Sequence, residues 1–78
     1  MLRIKQSVDL KELEKFDYLD MGNCYQKYDY FGVQIFIDKE TREITRVQPY
    51  SLRFTPSYDE ISELYENELV EKVGERDE

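Results

Sequence analysis

Histidine is absent from this chain of 78 residues, and cysteine occurs only once, as Cys24. Without histidine the chain lacks the usual general base at neutral pH and the commonest metal ligand. Cys24 has no imidazole to activate it, so the simplest interpretation is a small, half-buried thiol. A single cysteine cannot close an intramolecular disulfide, which is typical of a reducing compartment. We therefore expect no enzymatic activity, no metal and no cofactor.

Glycine and long apolar runs are also scarce. The three glycines stand apart along the chain, so there is no glycine-rich phosphate loop: they are Gly22, Gly32 and Gly74. No apolar run approaches the ~18 residues of a membrane-spanning helix, and no charged-then-apolar leader opens the chain. These absences predict a soluble, cytoplasmic protein that does not bind membranes.

The length and the apolar content favour one folded domain. Hydrophobic residues make up 40% of the chain, and seven tyrosines and four phenylalanines provide enough aromatic bulk for one core. A chain of this size buries roughly 60% of its unfolded surface, so its stability will be modest. We assign residues 1–74 to a single domain and residues 75–78 to a loose acidic tail.

The formal net charge of −7 is confined to the last third of the chain. Residues 56–78 contain nine acidic and two basic residues, whereas residues 1–55 contain nine of each and are neutral. An acidic surface repels nucleic acids and anionic membranes and attracts basic surfaces. The charge distribution therefore argues against direct nucleic-acid binding and favours a partner protein with a basic surface.

The N-terminal segment predicts a strand followed by a helix. Leu2 and Ile4 alternate with basic residues, which indicates a short strand with one buried face. Ser7 is the expected N-cap of a helix that begins near Val8, with Asp9 in its first turn. The apolar stripe of this helix consists of Leu10, Leu13 and Phe16.

The middle of the chain predicts an antiparallel pair of strands. A turn is expected over residues 20–23, and alternation then places Phe31, Val33, Ile35 and Ile37 on one face of a strand. Residues 38–43 form a polar hairpin connection. The returning segment, residues 44–54, is interrupted at Pro49, which indicates an edge strand or a bulge.

The C-terminal segment predicts an amphipathic helix and a last strand. The helix is capped either by Thr55, with Pro56 at its first position, or by Ser57, with Glu60 completing a capping box. Asn67 is expected to end the helix in the left-handed conformation, and a strand then covers residues 69–73. The order β-α-β-β-(β)-α-β defines an α+β fold with a small antiparallel sheet of three to five strands and two helices.

Three segments resemble small uncharacterised proteins that are encoded by phages and mobile elements of Gram-positive bacteria. They are SVDLKELEKF at residues 7–16, FGVQIFIDKETREI at residues 31–44 and LVEKV at residues 69–73. The resemblance covers about half of the chain and carries no motif that is diagnostic of an activity. It implies a setting of host takeover or counter-defence in a bacterial cytoplasm.

The second helix is the candidate interaction site. One side of it carries four acids, Asp59, Glu60, Glu63 and Glu66, and the apolar arc consists of Tyr58, Ile61, Leu64 and Tyr65. We expect the four acids to dock on a basic surface of a host protein, with Tyr58 or Tyr65 as an anchor at the rim. Inhibitors of the anti-restriction or anti-CRISPR type would use such a face. Four acids over about 16 Å imitate one nucleic-acid backbone but not a duplex.

Three alternatives remain open at this point. The acidic helix is also explained by solubility alone. The chain is otherwise a self-associating accessory protein, a homodimer that pairs an exposed strand edge suggested by the strand at 31–37 and by Pro49. The remaining alternative is a single-stranded nucleic-acid binder that stacks bases on an aromatic sheet. Its platform would consist of Tyr25, Tyr28, Tyr30 and Phe31, but Lys27 is the only basic residue among them.

Overall fold

A computed structural model describes residues 1–28, 33–47 and 53–73. It shows a small α+β fold, as predicted, in which one antiparallel sheet is packed against two short helices. The strands are β1 (Leu2–Ile4), β2 (Leu19–Asp20), β3 (Cys24–Tyr28), β4 (Gln34–Asp38), β5 (Glu43–Val47), β6 (Arg53–Phe54) and β7 (Val70–Lys72). These seven strands of the described residues exceed the three to five that were expected, because two of them are only two residues long and carry no periodic pattern.

The strand order is β2-β3-β4-β5-β1-β7, and every neighbouring pair is antiparallel. The N-terminal strand β1 lies between β5 and β7, which brings the two ends of the described chain together. β6 pairs with the second half of β5, on the edge whose first half pairs with β1. β4 lies in the interior of the sheet, between β3 and β5.

The core lies on one face of the sheet. Four residues in register across four strands form its centre and are all buried: Tyr25, Ile37, Ile44 and Leu2. Leu13 of the first helix and Ile61 and Leu64 of the second helix are fully buried against them. Each large apolar side chain that is buried in this way contributes about 1.5–3 kcal/mol, so the core holds both helices on the same face.

The first helix begins two residues later than predicted. It is a 3₁₀-helix, Leu10–Phe16, and its N-cap is Asp9, whose carboxylate accepts the Lys11 amide at 3.0 Å. The prediction of Ser7 as the cap was wrong because the chain first makes a turn in which the Val8 amide donates to the Lys5 carbonyl at 3.1 Å. Asp9 is the first side chain beyond that turn that reaches a free amide.

The predicted strand at residues 31–37 is confirmed in its second half. β4 begins at Gln34, with Ile35 and Ile37 buried as the alternation predicted. Phe31 lies outside the described residues. The preceding strand, β3, was not separated from β4 in the prediction because the segment from Cys24 to Asp38 is uniformly rich in aromatic and β-branched residues.

The predicted hairpin at residues 38–43 is present. Asp38 ends β4 and accepts the amides of Glu40 and Thr41 at 2.7 and 2.9 Å, and Arg42 adopts the left-handed conformation with φ of 67°. The returning segment does not continue as one strand, because β6 folds back and pairs with β5. Pro49, where an interruption was predicted, lies outside the described residues.

The second helix spans residues 58–66 and begins at the Ser57 alternative. It consists of a 3₁₀ turn, Tyr58–Ile61, followed by an α-helix, Ser62–Glu66. The Glu60 carboxylate accepts the Ser57 amide at 2.9 Å, as a capping box requires. The helix ends at Asn67 as predicted, but Glu68 rather than Asn67 is left-handed, with φ of 60°. The predicted last strand is β7, and the expected tail at residues 75–78 lies outside the described residues.

Candidate interaction surface

The four predicted acids of the second helix fall into two groups, and the first group faces the sheet. A carboxylate oxygen of Glu60 lies 2.7 Å from Nε of Arg46, and one of Glu63 lies 2.6 Å from Nζ of Lys27. Lys27 and Arg46 stand in register with Ile35 on the face that carries the core. These two acids therefore hold the helix against β3 and β5.

Both cations also lie over aromatic rings of the same face. Nζ of Lys27 is 5.2 Å from the centre of the Tyr18 ring, and the guanidinium of Arg46 is 5.7 Å from the centre of the Phe54 ring. Tyr18 is buried, and burial raises its pKa far above the ordinary value, with a further contribution from the Glu63 carboxylate. Each cation is thus held between a carboxylate and a ring, which fixes its position.

The second group of acids, Asp59 and Glu66, faces solvent. Both residues are exposed, and seven positions separate them, so they lie about two helical turns apart on one side of the helix. Within the described parts of the chain neither forms an ion pair. Glu68, the residue after the helix, is exposed as well. These three carboxylates make up the free charge of this surface.

The two predicted anchors, Tyr58 and Tyr65, lie together beside these acids. Their ring centres are 5.0 Å apart with the planes tilted by 41°. Tyr65 is half-buried and packs against the core, whereas 53% of Tyr58 is exposed. Tyr65 therefore supports Tyr58, which offers an aromatic face to a partner. We define the exposed stripe as Tyr58, Asp59 and Glu66.

The strand proposed for self-association and the aromatic residues proposed for nucleic-acid binding do not lie where those two alternatives require. β4 is paired on both sides, so it does not offer the strand edge on which self-association was based. Tyr25 is buried and its hydroxyl lies 3.4 Å from Glu14, whereas Tyr28 is exposed and lies on the opposite face of β3. The two rings do not share a platform. Tyr30 and Phe31 lie outside the described residues.

Sequence reasoning missed the cationic partners of Glu60 and Glu63. The signal was present, because Lys27 follows buried Tyr25 by two positions and Arg46 follows buried Ile44 by two. Side chains two positions apart on a strand share a face. Alternation extended to β3 and β5 would therefore have placed both bases on the face of Tyr25 and Ile44, which the helices cover.

Two features are absent from residues 1–28, 33–47 and 53–73. No group of three or more Cys, Asp or Glu residues there is arranged to hold a metal ion. Nor does that part of the chain contain a helix that is both long enough and apolar enough to span a membrane.

Comparison with models of protein families, with curated proteins and with solved structures gave no match to this chain.

Proposed function

We propose that this chain is a small, non-enzymatic interaction protein that docks its second helix on a basic surface of a partner protein. The observation that supports this proposal is the exposed stripe. Asp59 and Glu66 present unpaired carboxylates within the described structure, and Tyr58 lies beside them with half of its surface exposed. Tyrosine next to free carboxylates suits a lysine or arginine, which it binds by cation–π contact while the carboxylate pairs with the charge.

The ion pairs of the helix change which acids carry the proposal. Glu60 and Glu63 are neutralised locally by Arg46 and Lys27, and their side chains are only 24% and 40% exposed. They contribute to the field of the molecule, but Asp59 and Glu66 are the carboxylates that a partner reaches first. Two free acids on a helix of nine residues are too few to imitate a DNA duplex. A general acidic docking face fits this surface better than strict mimicry of nucleic acid.

The resemblance to proteins of phages and mobile elements supports a setting for this activity. In that setting the partner is a host protein of a bacterial cytoplasm whose basic surface handles nucleic acid. A chain bound to that basic surface would keep nucleic acid from binding there. Complementary charge would speed the encounter between the two proteins.

The test uses two double variants with the same change of charge. Asp59→Asn with Glu66→Gln neutralises the exposed stripe, whereas Glu40→Gln with Glu43→Gln neutralises two acids at the β4–β5 hairpin. Proteins are captured from a Gram-positive bacterial lysate, and the affinity of each purified candidate is measured at low and at high salt. We expect the stripe variant to bind on the order of tenfold more weakly at low salt, and the hairpin variant to bind like the original protein.

The outcome separates a specific surface from bulk charge. Equal weakening by both double variants would mean that only the net charge matters. Unchanged affinity in the stripe variant would contradict the proposal and leave solubility as the explanation for the acidic helix. Because both variants keep the ion pairs to Arg46 and Lys27, neither result is confused with unfolding.

A further inference from the structure

A groove lies beside the second helix, where β3 extends past the first residue of β2. Its volume is about 540 Å³, and its lining residues are Asp17, Leu19, Gln26, Lys27, Tyr28, Glu60 and Glu63. The groove wraps around the edge of β3, because Leu19 and Tyr28 belong to the sheet face opposite the helices while Lys27 and the two glutamates belong to the covered face. It is separate from the exposed stripe.

The main chain of Tyr28 points into this groove. The Lys39 amide donates to the Asn23 carbonyl at 3.2 Å, so odd-numbered residues of β3 exchange hydrogen bonds with β4. The main-chain N–H and C=O groups of even-numbered residues point away from β4, towards β2. The Met21 amide accordingly donates to the Cys24 carbonyl at 2.8 Å. The last pair between β2 and β3 is Leu19 with Gln26. Tyr28 is therefore the next residue of β3 whose N–H and C=O face the position of a neighbouring strand.

No strand among residues 1–28, 33–47 and 53–73 fills that position. Asp17 would lie opposite Tyr28 if β2 were longer, but Asp17 is left-handed with φ of 72° and its amide donates to the Glu14 carbonyl at 3.3 Å. The backbone thus joins the sheet one hydrogen-bonded pair too late to lie opposite Tyr28. Within the described residues Tyr28 has no strand partner on this side.

The side chains of the groove define the chemistry that would fill it. Leu19 and Tyr28 are 60% and 56% exposed, which gives one wall an apolar surface. The lining includes three carboxylates, of which Glu63 pairs with Lys27 of the same lining and Glu60 pairs with Arg46. Asp17 has no ion-pair partner within the described structure. A second copy of this acidic chain or a nucleic acid would be repelled here.

We infer that this groove binds an extended, basic segment of a partner protein. The segment lies along β3, exchanges main-chain hydrogen bonds with Tyr28, rests an apolar side chain on Leu19 and places a lysine or arginine against Asp17. Strand addition of this kind takes its affinity from the main chain and its specificity from alternate side chains. The inference rests on the proposed function in that the same class of basic partner is expected, and it adds a second contact to the exposed stripe.

The probe is a short fluorescein-labelled peptide that alternates lysine with valine. Two control peptides accompany it: one replaces lysine by glutamate, and the other keeps every side chain but carries N-methyl groups on alternate amides. Binding is measured by fluorescence polarisation, and the site is located by the amide chemical shifts of the labelled protein. We expect the first peptide alone to bind and the largest shifts to fall at Tyr28 and its neighbours.

Two pairs of variants of the full chain test the location. Asp17→Gly removes the unpaired carboxylate of the groove at a left-handed position that glycine favours. Glu68→Gly makes the same change of charge at a left-handed position outside the groove. Tyr28→Ala removes the groove aromatic, and Met21→Ala removes a similarly exposed apolar side chain that lies outside both the groove and the stripe. We expect Asp17→Gly and Tyr28→Ala to weaken peptide binding about tenfold and their two controls to leave it unchanged.

Three results would overturn the inference. Equal binding of the N-methylated peptide would mean that charge alone attracts the probe without strand pairing. Shifts centred on Asp59 and Glu66 would place the basic segment on the exposed stripe, which would support the proposed function while removing the groove. Absence of binding by the alternating peptide at millimolar concentration would contradict the groove without touching the stripe, whose test uses different variants.

Discussion

Among the residues that the structure describes, three other than glycine have positive φ, and two of them end helices in the same way. Asp17, at 72°, follows the first helix, and Glu68, at 60°, follows the second. At each end the next amide reaches back five residues, Tyr18 to the Leu13 carbonyl at 3.2 Å and Leu69 to the Leu64 carbonyl at 3.0 Å. This is the Schellman arrangement, which glycine usually completes. Since the hydrogen bonds are made by the main chain, the acidic side chains are not needed for the turns.

Replacing Glu68 by glycine should stabilise the protein. The left-handed conformation costs an ordinary residue about 1–2 kcal/mol, and glycine gives back part of that gain as chain entropy in the unfolded state. We expect the free energy of unfolding to rise by about 0.5–1 kcal/mol, measured as a higher urea midpoint with an unchanged slope. A lower midpoint would show that the Glu68 side chain has a structural role that outweighs the backbone strain.

Arg42 is the matched contrast, because its φ is also positive, at 67°. Its guanidinium donates to the carbonyls of Lys5 at 2.8 Å and Val8 at 2.7 Å, which ties the β4–β5 hairpin to the turn after β1. Arg42→Gly relieves the same strain but leaves both carbonyls without this donor, and charged hydrogen bonds contribute about 1.5–3 kcal/mol. We expect the urea midpoint to fall in this variant, while Glu68→Gly raises it.

At the scale of elements, the second helix depends on its contacts with the sheet. Nine residues are too few for a stable isolated helix. Ile61 and Leu64 provide the apolar contact, and the pairs Glu60–Arg46 and Glu63–Lys27 lie at its margin. The acids of this helix thus have a structural role as well as the proposed one, which the sequence hypothesis of a single acidic face did not include.

A double-mutant cycle on Glu63 and Lys27 should measure that structural role. Glu63→Gln, Lys27→Gln and the double variant are unfolded in urea, and the coupling free energy is taken from the four stabilities. The pair is partly exposed, so we expect about 0.5–1 kcal/mol at low salt, decreasing as salt is added. A coupling of zero at low salt would mean that the apolar contacts alone position the helix.

The elements with a clear period were predictable, and those without one were not. Alternation placed Ile35 and Ile37 in the core, and the spacing of Ser57 and Glu60 gave one of two starts for the second helix. Asp9 rather than Ser7 caps the first helix because of the turn between Lys5 and Val8, and no hydrophobic periodicity indicates that turn. β2 was not predicted because two residues carry no pattern, although its late start leaves the groove beside Tyr28 open.

At the scale of the whole molecule, the sheet offers little support for self-association. β4 lies in the interior of the sheet, whereas β7 lies at one end of the strand order. The main chain on either side of β7 bonds to the chain around β1 at Leu69 and Val73. The main-chain N–H and C=O groups of Val70 and Lys72 therefore point outward from the sheet edge. Two copies that pair Val70 with Lys72 across a twofold axis would place Glu71 opposite itself. Like charges directly opposite each other destabilise such a pair, and the net charge of −7 adds repulsion.

Alkaline pH should destabilise the folded protein through buried Tyr18. Burial raises the pKa of this phenol in the folded state, and the Glu63 carboxylate raises it further. In the unfolded state the phenol titrates near its ordinary value of about 10. The stability that depends on the neutral phenol is therefore complete below about pH 10 and is lost as the pH rises from there towards the folded pKa.

The comparison of two tyrosine variants isolates the contribution of the buried phenol from the other effects of alkaline pH. Tyr18→Phe removes the buried hydroxyl, and Tyr58→Phe removes one that is exposed. We expect urea midpoints to fall above about pH 10 in the original protein and in Tyr58→Phe, and to fall less steeply in Tyr18→Phe. Ionisation of Tyr18, whose ring lies under Lys27, would then be a cause of the loss of stability at alkaline pH. The same Lys27 pairs with Glu63 of the second helix, so this ionisation would also weaken the contact of the helix with the sheet. Identical alkaline profiles in all three proteins would instead assign the loss of stability to the ion pairs alone.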